Sequence, residues 1–251
     1  MRIDVLTIFP GMFEGPLTES IIRKARDKKL LDIRLHDIRS FTKDKHHCVD
    51  NRPFGGGPGM VMSPQPIIDA LSAVGVQAQA AKLWPATNRP FVIFMSPQGA
   101  KLDQALAKKL SKYRHLVLLC GRYEGVDERV MKWVNQEVSI GDFVLTGGEL
   151  PAMVLIDCLA RFVPGVVKEA DSVKCDSFFN GLLDYPHYTR PEVYRRIKVP
   201  QELLSGNHKF VDEWRREQSL RATLVKRPDL LKIANLCAAD KEMLKKIKQT
   251  A

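Results

Sequence analysis

The sequence predicts an α/β fold built on a parallel sheet, with a smaller α-helical C-terminal domain behind it, and three observations carry that reading. Apolar runs of strand length at 3–9, 91–95 and 115–120 are continuous, as strands covered on both faces must be. Segments of helical period at 18–29, 101–111 and 148–162 alternate with them. After Pro164-Gly165 the chain turns polar and then basic, and Leu203, Phe210, Trp214, Leu220 and Leu224 recur at roughly helical intervals.

Taken in order, residues 3–9 form a strand ended by Pro10-Gly11, and 18–29 a helix with Ile21, Ile22 and Ala25 inward. Leu31, Ile33 and Leu35 alternate with Asp32, Arg34 and Asp37, which predicts a second strand over 31–37. Residues 40–63 have no period and read as a long loop, the kind that is usually functional or disordered. A helix follows over 64–74, then a loop with part helix over 76–88. The strands at 91–95 and 115–120 flank the helix at 101–111. A helix over 126–134, a short strand at 137–140 and the strongly apolar helix at 148–162 complete the first domain, residues 1–165. Residues 166–176 read as a linker and 177–251 as the basic helical domain, with Ser205-Gly206-Asn207 as a helix-start signal.

Composition bounds the function. Of 251 residues, 45% are hydrophobic and 27% charged, which excludes an intrinsically unfolded chain. Lys and Arg number 39 against 29 Asp and Glu, so the surface should attract a polyanion, nucleic acid first. The ten excess positive charges divide equally between residues 1–167 and 168–251, giving the shorter part twice the charge density. The five cysteines, Cys48, Cys120, Cys158, Cys175 and Cys237, have no paired spacing and fit a reduced, cytoplasmic chain. Met1-Arg2-Ile3-Asp4 leads straight into a strand without a signal-peptide pattern, and the apolar stretches fall short of the ~18 residues that span a bilayer, so no membrane partner is expected.

Gly55-Gly56-Gly57-Pro58-Gly59 lacks the Gly-Lys-Ser/Thr ending of a P-loop and serves a tight multiple turn or a phosphate contact equally well. Lys43, Lys45, His46, His47 and Arg52 flank it, which suits a phosphate backbone. Three turns follow predicted strands: Ser96-Pro97-Gln98-Gly99, Gly121-Arg122-Tyr123-Glu124-Gly125, and Ser139-Ile140-Gly141-Asp142 with Thr146-Gly147-Gly148. Ligands of parallel sheets sit outside the carboxyl ends of strands, so the three turns predict one small-molecule pocket read through backbone groups, suited to an adenine ring. Asp142, Asp157, Arg161, Asp176 and Asp184 are candidate chemical groups among which spacing does not choose. The histidines at 46, 47, 115, 187 and 208 have no metal-ligand spacing.

Four segments together resemble one family: 50–60 (DNRPFGGGPGM), 121–129 (GRYEGVDER), 139–149 (SIGDFVLTGGE) and 183–191 (LDYPHYTRP). They are similar to the bacterial tRNA (guanine-N1)-methyltransferases of the TrmD type, within the SPOUT class, and the likeness runs from Met1 to about Leu231. Ser205-Gly206-Asn207-His208 and the segment 214–220 (WRREQSL) extend it; Asn51, Phe54 and Val173-Lys174-Cys175 depart from the family pattern.

The resemblance implies a trefoil knot in the C-terminal part of the α/β domain and a homodimer whose active site is shared across the interface. It implies S-adenosylmethionine as methyl donor, held by Met95, Ser96, Pro97, Gly121, Tyr123, Glu124, Gly125, Ser139, Ile140, Gly141, Leu145, Thr146, Gly147 and Gly148. Guanine N1 bears a proton at neutral pH, so a general base is needed, and the family pattern assigns Asp176 to it and Arg161 to the charge developing on O6. The substrate implied is the guanosine just 3′ of the anticodon, position 37 of tRNA. Lys45, His46 and Arg52 would touch RNA from the first domain and Lys209, Arg215, Arg216 and Arg221 from the second. The resemblance also brings in Mg²⁺, for which the sequence defines no carboxylate cage, and no metal ligand is assigned. A related methyltransferase of ribosomal RNA and a non-catalytic RNA-binding module are the alternatives.

Overall fold

The computed structural model describes residues 1–77, 89–167 and 176–250. The chain divides into two compact units, Met1–Lys168 and Glu169–Ala251. The expected linker falls largely on residues 168–175, and much of the loop expected over 76–88 falls on residues 78–88; both stretches lie outside the described residues.

The first unit holds a five-stranded parallel sheet in the order β2-β1-β6-β5-β7, with β1 Arg2–Thr7, β2 Asp32–Asp37, β5 Phe91–Lys101, β6 His115–Cys120 and β7 Gln136–Ser139. A short antiparallel pair, β3 Asp50–Asn51 and β4 Val61–Met62, closes the base of the glycine-rich loop. The helices are α1 Ser20–Asp27, α2 Pro64–Ala73, α3 Gln104–Leu110 and α4 Glu149–Ala160.

Side chains alternate across the central strands β1, β6 and β5, so each of these feeds two cores. Ile93 and Met95 of β5 and Leu116, Leu118 and Cys120 of β6 pack with α1, α3 and α4, through residues such as Ile22, Leu110, Leu155 and Leu159. Val92, Phe94, Val117 and Leu119 pack on the other face with Ile67, Ala70 and Leu71 of α2. Both faces are dry, which is why the strands read as unbroken apolar runs.

One charge is buried in this sheet. Asp4 on β1 is fully buried and accepts from His36 Nε2 at 2.7 Å, His115 Nε2 at 2.5 Å and Arg2 Nε at 2.7 Å. Burial alone would raise its carboxyl, but the hydrogen bonds from His115, Arg2 and His36 outweigh that and hold it well below the usual range.

Two expectations differ from the structure. The segment 96–99 is not a free turn: β5 runs on to Lys101 and shifts register between Met95 and Ala100, a bulge that carries these residues past the edge of β7. The helix expected over 126–134 is a 3-10 segment, Glu128–Trp133. Val126, Val130 and Val134 mimic a helical period, but Val126 bridges to Met62 and Val134 leads into β7, leaving too little chain for an α-helix.

The second unit contains a hairpin, β8 Val193–Tyr194 and β9 Ile197–Lys198, and helices α5 Gln201–Leu204, α6 His208–Lys226 and α7 Ala238–Thr250. Asn207 caps α6 by accepting from Lys209 N at 3.1 Å. Its core is small, with Leu182, Leu220, Leu244 and Ile247 at the centre. Asp240 anchors α7: it accepts the Arg216 guanidinium at 2.7 and 2.8 Å and the Cys237 N–H at 3.0 Å, which places its carboxylate at the helix N-terminus.

Candidate functional site

The bulge within β5 and the segments that leave the carboxyl ends of β6 and β7 enclose a cavity of about 600 Å³, within the range of small-molecule sites. All fourteen residues expected at the cofactor line it: Met95, Ser96 and Pro97 from the bulge, Gly121, Tyr123, Glu124 and Gly125 after β6, and Ser139, Ile140, Gly141, Leu145, Thr146, Gly147 and Gly148 between β7 and α4. Gln98, of the turn expected over 96–99, also lines it, and Phe143, Val144 and Pro151 join them, unforeseen from spacing.

The last segment comes back against the second. Gly148 N donates to Gly121 O at 2.9 Å, and Arg122 bridges Gly147. A Cβ on Gly148 would lie 2.8 Å from Cys120 Cα, so the backbones approach only because this residue is glycine. Tyr123, half-exposed, holds a left-handed backbone at φ +60°, an uncommon conformation for a residue with a side chain. Ser139 ties its own turn, its Oγ donating to Gly141 O at 2.9 Å.

A buried ion pair fixes the mouth. Glu149 opens α4 fully buried, accepting Thr7 Oγ1 at 2.8 Å and Arg122 Nε at 2.9 Å. The Arg122 guanidinium also lies 4.6 Å from the Phe9 ring centroid, and Arg39 stands 5.1 Å from the same ring. The end of β1, the loop after β6 and the start of α4 are thereby joined. Sequence reasoning missed this network because Thr7 and Glu149 are 142 residues apart. The cavity lining itself carries Glu124, Glu128 and Glu137 against the one cation Arg122, which Glu149 neutralises. Such a lining favours a cationic ligand. Burial and then Glu149 push the Cys120 thiol up, so it is no nucleophile.

The glycine-rich loop reaches the rim of this cavity. Glu124 N donates to Met60 O at 3.0 Å, and Gly55, Gly56, Gly57 and Gly59 all have positive φ. Lys45, His46 and Arg52 are exposed along it, and the Phe54 ring stands wholly in solvent.

Arg161 is the C-cap of α4, at the opposite end from Glu149. From Pro151, which lines the cavity, the helix runs about 15 Å to Arg161 at 1.5 Å per residue, and Arg161 does not line the cavity of its own chain. Asp176 belongs to the second unit, where its carbonyl accepts Phe179 N at 3.2 Å and opens a turn. That turn is built firmly: Asp184 N donates to Ser177 Oγ at 2.9 Å, Leu183 N to Thr223 Oγ1 of α6 at 2.9 Å, and Leu182 enters the core.

The basic residues expected at RNA differ in their settings. Lys209 is exposed at the start of α6. Arg215 lies 5.1 Å from the Tyr185 ring centroid and pairs with Asp212 at 3.5 Å. Arg221 pairs with Glu217 at 3.0 Å, one turn back, while Arg216 closes on Asp240. Among the described residues no group of three or more His, Cys, Asp or Glu could hold a metal ion, and no helix is long and apolar enough to cross a membrane.

Comparison with known proteins gives a consistent likeness. Residues 1–233 match the family described as tRNA (Guanine-1)-methyltransferase TrmD. A tRNA (guanine-N(1)-)-methyltransferase of Endomicrobium trichonymphae is 58% identical over 232 residues, covering 92% of this chain and all of the relative. Proteins of the same name from Limosilactobacillus reuteri and Geobacter metallireducens are 52% and 51% identical over 248 and 252 residues; the alignments cover 99% and 100% of this chain and 96% and 99% of those proteins.

Proposed function

The chain belongs to the tRNA (guanine-1)-methyltransferase TrmD family, and from that premise we propose that it moves the methyl group of S-adenosylmethionine to N1 of the guanosine immediately 3′ of the anticodon in tRNA. The observation that carries the reading is the cavity formed by the β5 bulge and the segments after β6 and β7 and lined by an excess of carboxylates.

The residues fit the donor. Gly121, Gly141 and Gly148 bring backbone to the cavity wall, Ile140, Leu145 and Pro97 would supply apolar surface for the ring, and Glu124, Glu128 and Glu137 suit a positive charge. When bound, the sulfonium supplies an already activated methyl group. The chain's own task is then to hold guanine in line and to free the N1 lone pair.

In this reading Asp176 takes the N1 proton, and Arg161 meets the negative charge that spreads to O6 as the proton leaves. Because α4 separates Arg161 from its own cavity, Arg161 serves the site of a second copy, and the active enzyme is a homodimer with shared sites. Exposed Leu150 and Val154, one turn apart on α4, with Met12 beside the helix start, offer apolar surface for that pairing. The return of the segment 139–148 against Gly121 supports the trefoil knot of the SPOUT class. Lys45, His46 and Arg52 on the first unit and Lys209, Arg215 and Arg221 on the second would grip the anticodon arm, with Arg216 holding α7 in place beside them. The described residues present no cage for Mg²⁺, and no step here passes through one. The setting is the cytoplasm, where the tRNA substrate is.

The test is transfer of radiolabelled methyl from S-adenosylmethionine to defined transcripts. Label should enter a tRNA with guanosine after the anticodon and not one with adenosine there, nor a ribosomal RNA transcript. Absence of label in the first would end the reading.

A further inference from the structure

The hairpin of the second unit turns on two residues. Its register pairs Val193 with Lys198 and Tyr194 with Ile197, leaving Arg195 and Arg196 alone at the tip. Both have left-handed backbones, with φ of +49° and +68°. A two-residue hairpin with positive φ at both central positions is the geometry for which Asn-Gly, Asp-Gly or Gly-Gly is strongly preferred. Arginine has a Cβ that opposes this conformation at each position.

The hairpin buries no side chain that would offset that strain by packing. Residues 193–198 are all exposed, including Tyr194 and Ile197, and strands of two residues are marginal in water even with a favourable turn. Local strain without compensating packing points to side chains retained for what they touch beyond the fold. Their charge says what that is. Arg190, Arg195, Arg196 and Lys198 fall within nine residues that contain one acid, Glu192. The Arg195 guanidinium lies 5.4 Å from the Tyr194 ring centroid, a cation held over an aromatic surface.

We propose that the Arg195-Arg196 tip is a phosphate clamp for folded RNA, a contact additional to the basic residues of α6; the inference rests on the reading of tRNA as substrate. Arginine suits this role because its planar fork donates two hydrogen bonds to one phosphate.

The variant Arg195→Asn/Arg196→Gly restores favoured turn residues while removing both charges, so stability and RNA affinity should move in opposite senses. In the full-length protein we expect its melting temperature to rise by a few degrees. The Kd for tRNA should rise about tenfold, and the slope of log K against log salt should become less steep by about 1.5, with kcat at saturating tRNA unchanged. The Arg195→Lys/Arg196→Lys variant keeps the charges and the strain, and should keep the salt slope. An unchanged Kd and slope in the Asn/Gly variant would overturn the clamp, as would a fall in its melting temperature, which would mean that the arginines support the hairpin instead. Because tRNA binding is measured apart from methyl transfer, a chain that moved no methyl would overturn the proposed reaction and leave the clamp to be judged on its own readout.

Discussion

At the scale of single residues, Asp176 and Arg161 are asked for different things. Asp176→Asn keeps shape and removes the proposed proton acceptor, so turnover should fall at least about 10²-fold while affinity for S-adenosylmethionine stays the same. Retained turnover would take Asp176 out of the mechanism. Arg161→Ala should lower the single-turnover chemical rate by about 10²-fold with little change in tRNA Kd; a pure affinity loss would make Arg161 an RNA anchor instead. The cradle residues were legible from sequence as turns following apolar runs. The ion pair of Arg122 and Glu149 was not, since only the fold brings Thr7 and Phe9 to it. Arg216 shows the converse: its basic character suggested RNA, but its geometric partner is Asp240.

Among the elements, α7 is fastened by one carboxylate. The Arg216 hydrogen bonds, set against burial, lower the Asp240 carboxyl to about 2. A depressed carboxyl stabilises the folded chain at pH above its unfolded value near 4, and that contribution fades as pH falls through about 2. Asp240→Asn should therefore lower the melting temperature at pH 6, with the deficit shrinking markedly by pH 2.5; a deficit constant with pH would show that the carboxylate charge is irrelevant. Gly148→Ala tests the crossing of two loops, because the added carbon meets the Cys120 backbone. It should weaken S-adenosylmethionine binding at least tenfold by calorimetry, as the segments around the cavity spread apart. Strands and long helices were readable because continuous or periodic apolar runs have few alternatives. The bulge after Met95 and the 3-10 segment at Glu128–Trp133 were not, since both arise from pairing with chain remote in sequence. The Arg195-Arg196 turn carries no turn signal at all, because its conformation opposes its residue types.

For the whole molecule, the cavity stands at one end of α4 and Arg161 at the other, so the proposed chemistry would draw on two copies. The parallel sheet and the basic tail were visible from patterning, whereas the proposed knot and sharing of sites rest on family resemblance, because neither follows from local period. The most direct measurement mixes two inactive proteins. Asp176→Asn retains the cradle, and Thr146→Trp, at an exposed position lining the cavity, fills the cradle but retains the base. Co-expressed in equal amounts, half of the dimers carry one of each chain, and each of those has one complete site if the base reaches across. Methyl transfer should then recover to about a quarter of the wild-type rate. A mixture as inactive as its components would contradict the account, because it would mean that each chain closes its cradle with its own aspartate.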